Sequence, residues 1–146
     1  MGEKDHLKIK IGNRLIGSGE PAYLIAEMSA NHAGSIERAK EIIHAAKESG
    51  ADCIKIQTYT PDTLTIDCHN KYFQVNNGTW EGENLYSLYG KAYTPWEWQP
   101  RLKAEADKVG IDFLSTPFDN TAVDFLEDMG LEFYKIASFE MIDLPL

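Results

Sequence analysis

Apolar runs and helical patterns alternate along this chain, and polar side chains close each apolar run. The first run, Ala22 to Met28, ends in one carboxylate, Glu27, followed by small residues and then Asn31-His32. Three later segments repeat one another. A helical pattern closes at Gly50, Gly110 or Gly130, an acid follows two residues on (Asp52, Asp112, Glu132), and an apolar run begins. Glycine after the last helical residue takes the left-handed cap conformation without a Cβ clash. Five residues past each glycine a polar residue interrupts the run: Lys55, Ser115 and Lys135. Side chains alternate along a strand, so equal offsets predict an equal face. On adjacent parallel strands these three residues are expected to line one wall at one height. Buried lysine is rare without a negative partner, so two lysines at matching positions predict a bound anion.

The same patterning predicts the elements between. Lys8 to Ile16 alternates around Gly12-Asn13, a two-residue hairpin signal, expected to form a small lid or plug. Met1 to Leu7 is polar and expected to fray. The first helix is predicted from Ser35, its N-cap, to Ser49, burying Ile36, Ala39, Ile43 and Ala46, with His44 in solvent. The second strand, Asp52 to Tyr59, places Cys53, Lys55 and Gln57 on one face. Ile54, Ile56 and Thr58 take the other, toward helices. Pro61 to Tyr93 has no clean periodicity, and a loop of that length is usually functional or mobile. Its Tyr72, Phe73, Trp80, Tyr86 and Tyr89 either line a pocket or pack the loop down. Thr94-Pro95-Trp96-Glu97 predicts a capped start to the next helix, with Trp98, Leu102, Ala106 and Val109 inward. The third strand, Asp112 to Phe118, ends in hydroxyls, Ser115-Thr116, able to hold a carboxylate or phosphate. A short helix then runs from Thr121 to Met129, capped by Asp119 or Asn120, with Val123, Leu126 and Met129 inward. The fourth strand, Glu132 to Ser138, carries Lys135.

Strands alternating with helices predict an α/β fold with a parallel sheet. Its functional groups are expected at the C-terminal strand ends. A (β/α)8 TIM barrel takes about 250 residues. The 146 residues here are therefore expected to supply about its first four βα units, with a hairpin over 8–20 and a substrate-side loop over 61–93. An open parallel edge promotes association, so a homodimer is expected.

Composition narrows the chemistry. Hydrophobic residues make up 43% of the chain, enough for a core, and the net charge is −9, which argues against nucleic acid. An anion must then be held by local lysines and backbone N–H groups against the overall field. Cys53 and Cys68 stand in no metal spacing, His69 beside Cys68 completes no set, and Cys53 is expected in the core. No membrane-length apolar run or signal peptide is evident, so no membrane partner is expected and the cytoplasm is the expected compartment.

Four motifs also carry a resemblance. Ile25-Ala26-Glu27 with Asn31-His32, Lys55-Ile56-Gln57-Thr58, Ser115-Thr116-Pro117-Phe118 and Tyr134-Lys135-Ile136-Ala137-Ser138 resemble, in order and spacing, the N-terminal barrel motifs of the sialic acid synthase family. Tyr59 to Thr65, Asn84 to Tyr89 and Thr94 to Trp98 are most similar to its pseudaminic acid branch. The resemblance implies condensation of phosphoenolpyruvate with an open-chain acetamido sugar, giving a nine-carbon 2-keto acid for cell-surface glycans. For this branch the implied acceptor is a 2,4-diacetamido-2,4,6-trideoxyhexose. It implies Lys55, Thr116, Lys135 and Ser138 around phosphoenolpyruvate, Gln57 and Glu140 on the sugar, and Glu27 at the reacting carbon. It also implies a divalent metal, manganese or magnesium, whose histidine ligands belong to the second barrel half. That half and an antifreeze-like domain are expected to lie outside this chain, which alone is expected to turn over slowly or not at all. Two rivals stay open: another phosphoenolpyruvate-aldol synthase, and a non-catalytic anion- or sugar-binding half-barrel. The synthase reading requires Glu27, Lys55, Thr116 and Lys135 to reach one pocket.

Overall fold

The computed structural model describes residues 8–146; the expectation for Met1 to Leu7 falls outside them. The chain opens with the expected hairpin, β1 (Ile9–Ile11) and β2 (Arg14–Ile16), paired antiparallel with Ile11 opposite Arg14 across Gly12-Asn13. Gly12 has φ +53 and lies against Asp112, where a Cβ would come within 3.1 Å of a carboxylate oxygen. The backbone conformation calls for glycine, and a Cβ would need the Asp112 carboxylate to give way by a few tenths of an ångström.

A three-stranded parallel sheet follows, in the order β3 (Ile25–Glu27), β4 (Cys53–Thr58), β5 (Asp112–Pro117). Two acids of the repeat tie the hairpin and the segment leading into β3 to the underside of the sheet. The Arg14 guanidinium pairs with Asp52, and the Tyr23 hydroxyl donates to Asp112. Both acids sit at the N-terminal ends of their strands, so the hairpin is a plug opposite the functional edge and not a lid over it. Asp52 also accepts from the Leu24 N–H at 2.7 Å.

Helices α1 (Ile36–Glu48), α4 (Gln99–Val109) and α5 (Asn120–Asp128) cover one sheet face. Ser35 caps α1 by accepting from the Arg38 N–H, and Ala39, Ile43 and Ala46 are buried as the spacing requires. These meet Ile54 and Ile56 of β4 and Leu102 and Ala106 of α4 in one core. Cys53 is fully buried, and burial pushes its thiol up to about 12. Asp119 caps α5 through the Ala122 N–H at 2.8 Å. Ala122 is the fully buried partner of Leu126, where the spacing had pointed to Val123.

Four expectations are corrected. The 61–93 segment contains α2 (Pro61–Leu64), a 3-10 turn (Lys71–Phe73) and α3 (Leu85–Ala92). Asn84 caps α3 by accepting from the Tyr86 and Ser87 N–H groups. Thr94 caps nothing: α4 starts at Gln99, after a 3-10 turn over Trp96–Trp98, and Thr94 is buried with its carbonyl accepting from Gln99. The fourth strand shrinks to a single parallel bridge, Ser115 to Tyr134, and one Lys135 N–H bond to the Ser115 carbonyl at 3.1 Å. Among the described residues no strand flanks its far side, and Ile136 is 55% exposed.

Ser115 is the fourth correction. β4 starts three residues after Gly50 and β5 two residues after Gly110, so Lys55 lies opposite Leu114 and Ser115 opposite Ile56. A one-residue slip turns every side chain to the other face. Ser115 is accordingly buried among the helices, sharing a hydrogen bond with the Thr58 hydroxyl at 2.6 Å. Thr116, opposite Gln57, lies on the Lys55 face, and Lys135, level with Thr116 through the Tyr134 bridge, stands two residues beyond Lys55 and not at its height.

Candidate active site

The parallel register determines which side chains meet at the C-terminal edge. Glu27 ends β3 directly opposite Lys55, and their side chains form an ion pair. The Lys55 side chain is only 12% exposed, and the carboxylate is the partner its burial requires. One strand over, Gln57 faces Thr116, and the bridge at Tyr134 brings Lys135 alongside. Glu27, Ser29, Lys55, Gln57, Thr116 and Lys135 line one cavity of about 120 Å³. That is the volume of about four waters, a space for a small polar molecule. Lys135 makes no ion pair among the described residues, so its charge is available to an anion.

A wider cavity of about 550 Å³ adjoins the first and shares Ser29 and Gln57 with it. Its size falls within the usual ligand-site range of roughly 300–1,000 Å³. Its wall is aromatic and aliphatic, from Tyr59, Leu64, Trp80, Leu88, Tyr89 and Phe118. Tyr59 meets the rings of Tyr89 and Phe118 edge-on, at 5.9 and 5.6 Å, so that wall is a packed cluster. Burial pushes the Tyr59 phenol up to about 12. Of the loop aromatics, Trp80 and Tyr89 line the cavity, and Tyr72, Phe73 and Tyr86 do not.

Glu140 reaches this wider cavity from the 3-10 turn Glu140–Ile142, with a buried Oε2 that has no hydrogen-bond partner among the described residues. Ser138 sits in the preceding turn, exposed, and lines neither cavity. It is the one member of the expected set left apart.

Behind the edge a buried polar group ties the elements together. Thr58 donates to Gln99 Oε1 at 2.8 Å, and Gln99 Nε2 donates to the Thr94 carbonyl at 3.2 Å. In the loop after β3, Asn31 donates to the Met28 carbonyl at 2.9 Å. His32 is 1% exposed and lies edge-on to Trp98 at 5.7 Å. Its Nδ1 accepts from the Gly34 N–H at 3.2 Å, which leaves the proton of the neutral ring on Nε2. Burial lowers its pKa, and the Ala92 backbone offsets part of that shift. Asn31 and His32 thus order the first loop. Among the described residues no three His, Cys, Asp or Glu side chains group to hold a metal, and no helix is long and apolar enough to cross a membrane.

Residues 42–146 match the model of the NeuB family. The chain belongs to the NeuB family. Among NeuB relatives, the pseudaminic acid synthase of Helicobacter pylori is 46% identical over 127 residues, 87% of this chain and 37% of that protein. The N,N'-diacetyllegionaminic acid synthase of Legionella pneumophila is 37% identical over 129 residues, 88% of this chain and 36% of that protein. The crystal structure of an N-acetylneuraminic acid synthetase from Leptospira borgpetersenii, in complex with citrate, superposes with a TM-score of 0.80 at 28% identity. The alignment covers 96% of this chain and 44% of that one. The chain therefore spans less than half the length of these relatives.

Proposed function

We propose that this chain is the N-terminal part of a (β/α)8 synthase barrel that condenses phosphoenolpyruvate with an open-chain acetamido sugar. The product is a nine-carbon 2-keto sugar acid, pseudaminic acid or a close relative, plus phosphate. The observation that carries this reading is the pair of adjoining cavities at the parallel strand ends, one polar and lysine-lined, one aromatic. Family membership, with pseudaminic acid synthases at 45–46% identity, supports the acceptor class.

In this reading Lys55 and Lys135 neutralise the carboxylate and phosphate, and Thr116 donates a hydrogen bond. Ser138 joins them by resemblance alone. Carbon 3 of the enol attacks the aldehyde, leaving positive charge on carbon 2. Water adds there, and phosphate departs with C–O cleavage. Glu27 stands beside that carbon, stabilising the cation or orienting the water. Gln57 and Glu140 hold the sugar, whose acyl and deoxy methyl groups suit an aromatic wall. The manganese or magnesium ion of the family has no fit to the described residues, so no step is assigned to a metal held by this chain. Its ligands, the antifreeze-like domain, a homodimer and a cytoplasmic setting complete the proposal.

Calorimetry with phosphoenolpyruvate tests the anion site. Lys135→Ala is expected to weaken binding at least tenfold, the loss of one charge-assisted hydrogen bond of about 1.5–3 kcal/mol. Unchanged affinity makes Lys135 a structural lysine and removes the anion site. Robust sugar-acid formation by the 146-residue chain alone would overturn the half-barrel part of the proposal.

A further inference from the structure

Ser29 opens the 3-10 turn that follows β3, and its backbone has φ +48. The one other non-glycine residue with positive φ among the described residues is Ala33, at +47, which closes the same turn. A side chain in the left-handed region carries strain that glycine avoids. Such strain persists where the surroundings over-determine a residue, and it gathers at ligand sites. Here the turn is held from several sides. The Met28 N–H donates to the Lys55 carbonyl at 2.9 Å, Asn31 ties back to Met28, and His32 is buried against Trp98. Asn31 Nδ2 and His32 Nδ1 are thus engaged, whereas the Ser29 hydroxyl, like the buried His32 Nε2, makes no hydrogen bond among the described residues. Ser29 is exposed, and only Ser29 and Gln57 line both cavities.

We propose that Ser29 is a further substrate-contacting residue, its hydroxyl donating a hydrogen bond to the C1 oxygen of the acceptor sugar where the two cavities meet. This rests on the function proposed above. With the anion in the polar cavity and the polyol in the wide one, the carbons that bond must meet at the seam. As the new C–C bond forms, the carbonyl π pair moves onto the C1 oxygen. That oxygen gains a proton, balanced by the one released when water adds at C2. The serine keeps its own proton and contributes orientation and stabilisation of the developing charge. The turn thus aims a small donor that a glycine there could not provide.

The test is calorimetry on this chain with three probes: phosphoenolpyruvate, N-acetylmannosaminitol (an open-chain alcohol that keeps the C1 oxygen) and its 1-deoxy analogue. Wild type is expected to bind the first alditol roughly two- to tenfold more tightly than the 1-deoxy compound, the range for one neutral hydrogen bond. Ser29→Ala is expected to erase that difference, and to weaken phosphoenolpyruvate binding far less than Lys135→Ala does. Ser29→Gly, which relaxes the backbone, is expected to erase it as well. If Ser29→Ala still discriminates between the alditols, or Ser29→Gly retains what Ser29→Ala loses, the hydroxyl is not the contact and the inference falls. Phosphoenolpyruvate binding without alditol binding overturns the inference alone. Binding of neither overturns the functional reading with it.

Discussion

Asp52 shows how much a single carboxylate organises at the closed end of the sheet. It accepts the Leu24 N–H that opens β3 and pairs with Arg14 of the hairpin, so plug, first strand and second strand share one side chain. The Leu24 N–H first, and then the Arg14 guanidinium, hold its carboxyl below the usual carboxylate range. A carboxyl depressed on folding contributes stability above its unfolded pKa of about 3.9 and loses it as pH falls through the folded value. Asp52→Asn is therefore expected to be destabilising at pH 7 and to flatten the loss of stability below about pH 4. Urea denaturation between pH 7 and pH 2.5 measures this; an unaltered acid limb would leave Asp52 without that role. The sequence exposed the acid through its repeated place after Gly50 and Gly110, without revealing its use. The third copy, Glu132, is exposed and has no such partner among the described residues. Ser115 teaches the converse. Its offset from glycine matched that of Lys55, but face depends on where pairing begins, and the link after Gly110 is one residue shorter. Ser29 left no signal, because a serine gives no hint of positive φ and the value emerges only from the folded turn.

At the scale of elements, periodicity located α1, α4 and α5 and the strands before them, since each buries one face against one core. It missed α2 and α3, which are short and pack on the rim and not on the sheet. A signal was nonetheless present: Asn84 is a preferred cap residue, and Leu85, Leu88, Tyr89 and Ala92 follow at helical spacing. The aromatics scattered through the segment off that spacing mask the period. Asp119 links this rim to the body. It caps α5, accepts from Thr121, and accepts from Thr63 of α2 at 2.7 Å. Although burial alone would raise its pKa, those hydrogen bonds outweigh it and hold the carboxyl low. Asp119→Ala is expected to cost about 1–3 kcal/mol, the sum of a lost cap and a lost hydrogen bond. It should also accelerate amide exchange in α2. Asp119→Asn, which can still cap, is expected to recover most of the stability. Urea melts with hydrogen exchange at Thr63 and Leu64 separate the two effects. If α2 exchange is untouched, Asp119 serves α5 alone.

At the scale of the whole molecule, the candidate site was legible because its members depend on strand order and alternation: Glu27, Lys55, Thr116 and Lys135 line a single cavity. The weakly built fourth strand marks where local pattern stops being sufficient, since a strand needs neighbours to form a ladder. The two sides of the sheet end differently from its middle. On the β3 side Leu24 and Ile25 are 54% and 46% exposed and border an apolar groove with Ile42 and Ala45 of α1. On the other side Ile136, Phe139, Met141, Ile142 and Leu144 are exposed at 55–92%. Unpaired strand edges and contiguous apolar surface both favour association. The 146-residue chain is therefore expected to self-associate with increasing concentration, even though its net charge of −9 opposes contact. Raising the salt screens that repulsion, so association should strengthen with ionic strength, the opposite of what charge-paired contacts would do. Sedimentation velocity across a concentration series at low and high salt measures both trends. Ile25→Lys, which places a charge on the open edge strand, is expected to shift the chain toward monomer, whereas a lysine at Glu41 on the outer face of α1 is not. A monomer at all concentrations would mean that these edges are adequately covered by the chain itself.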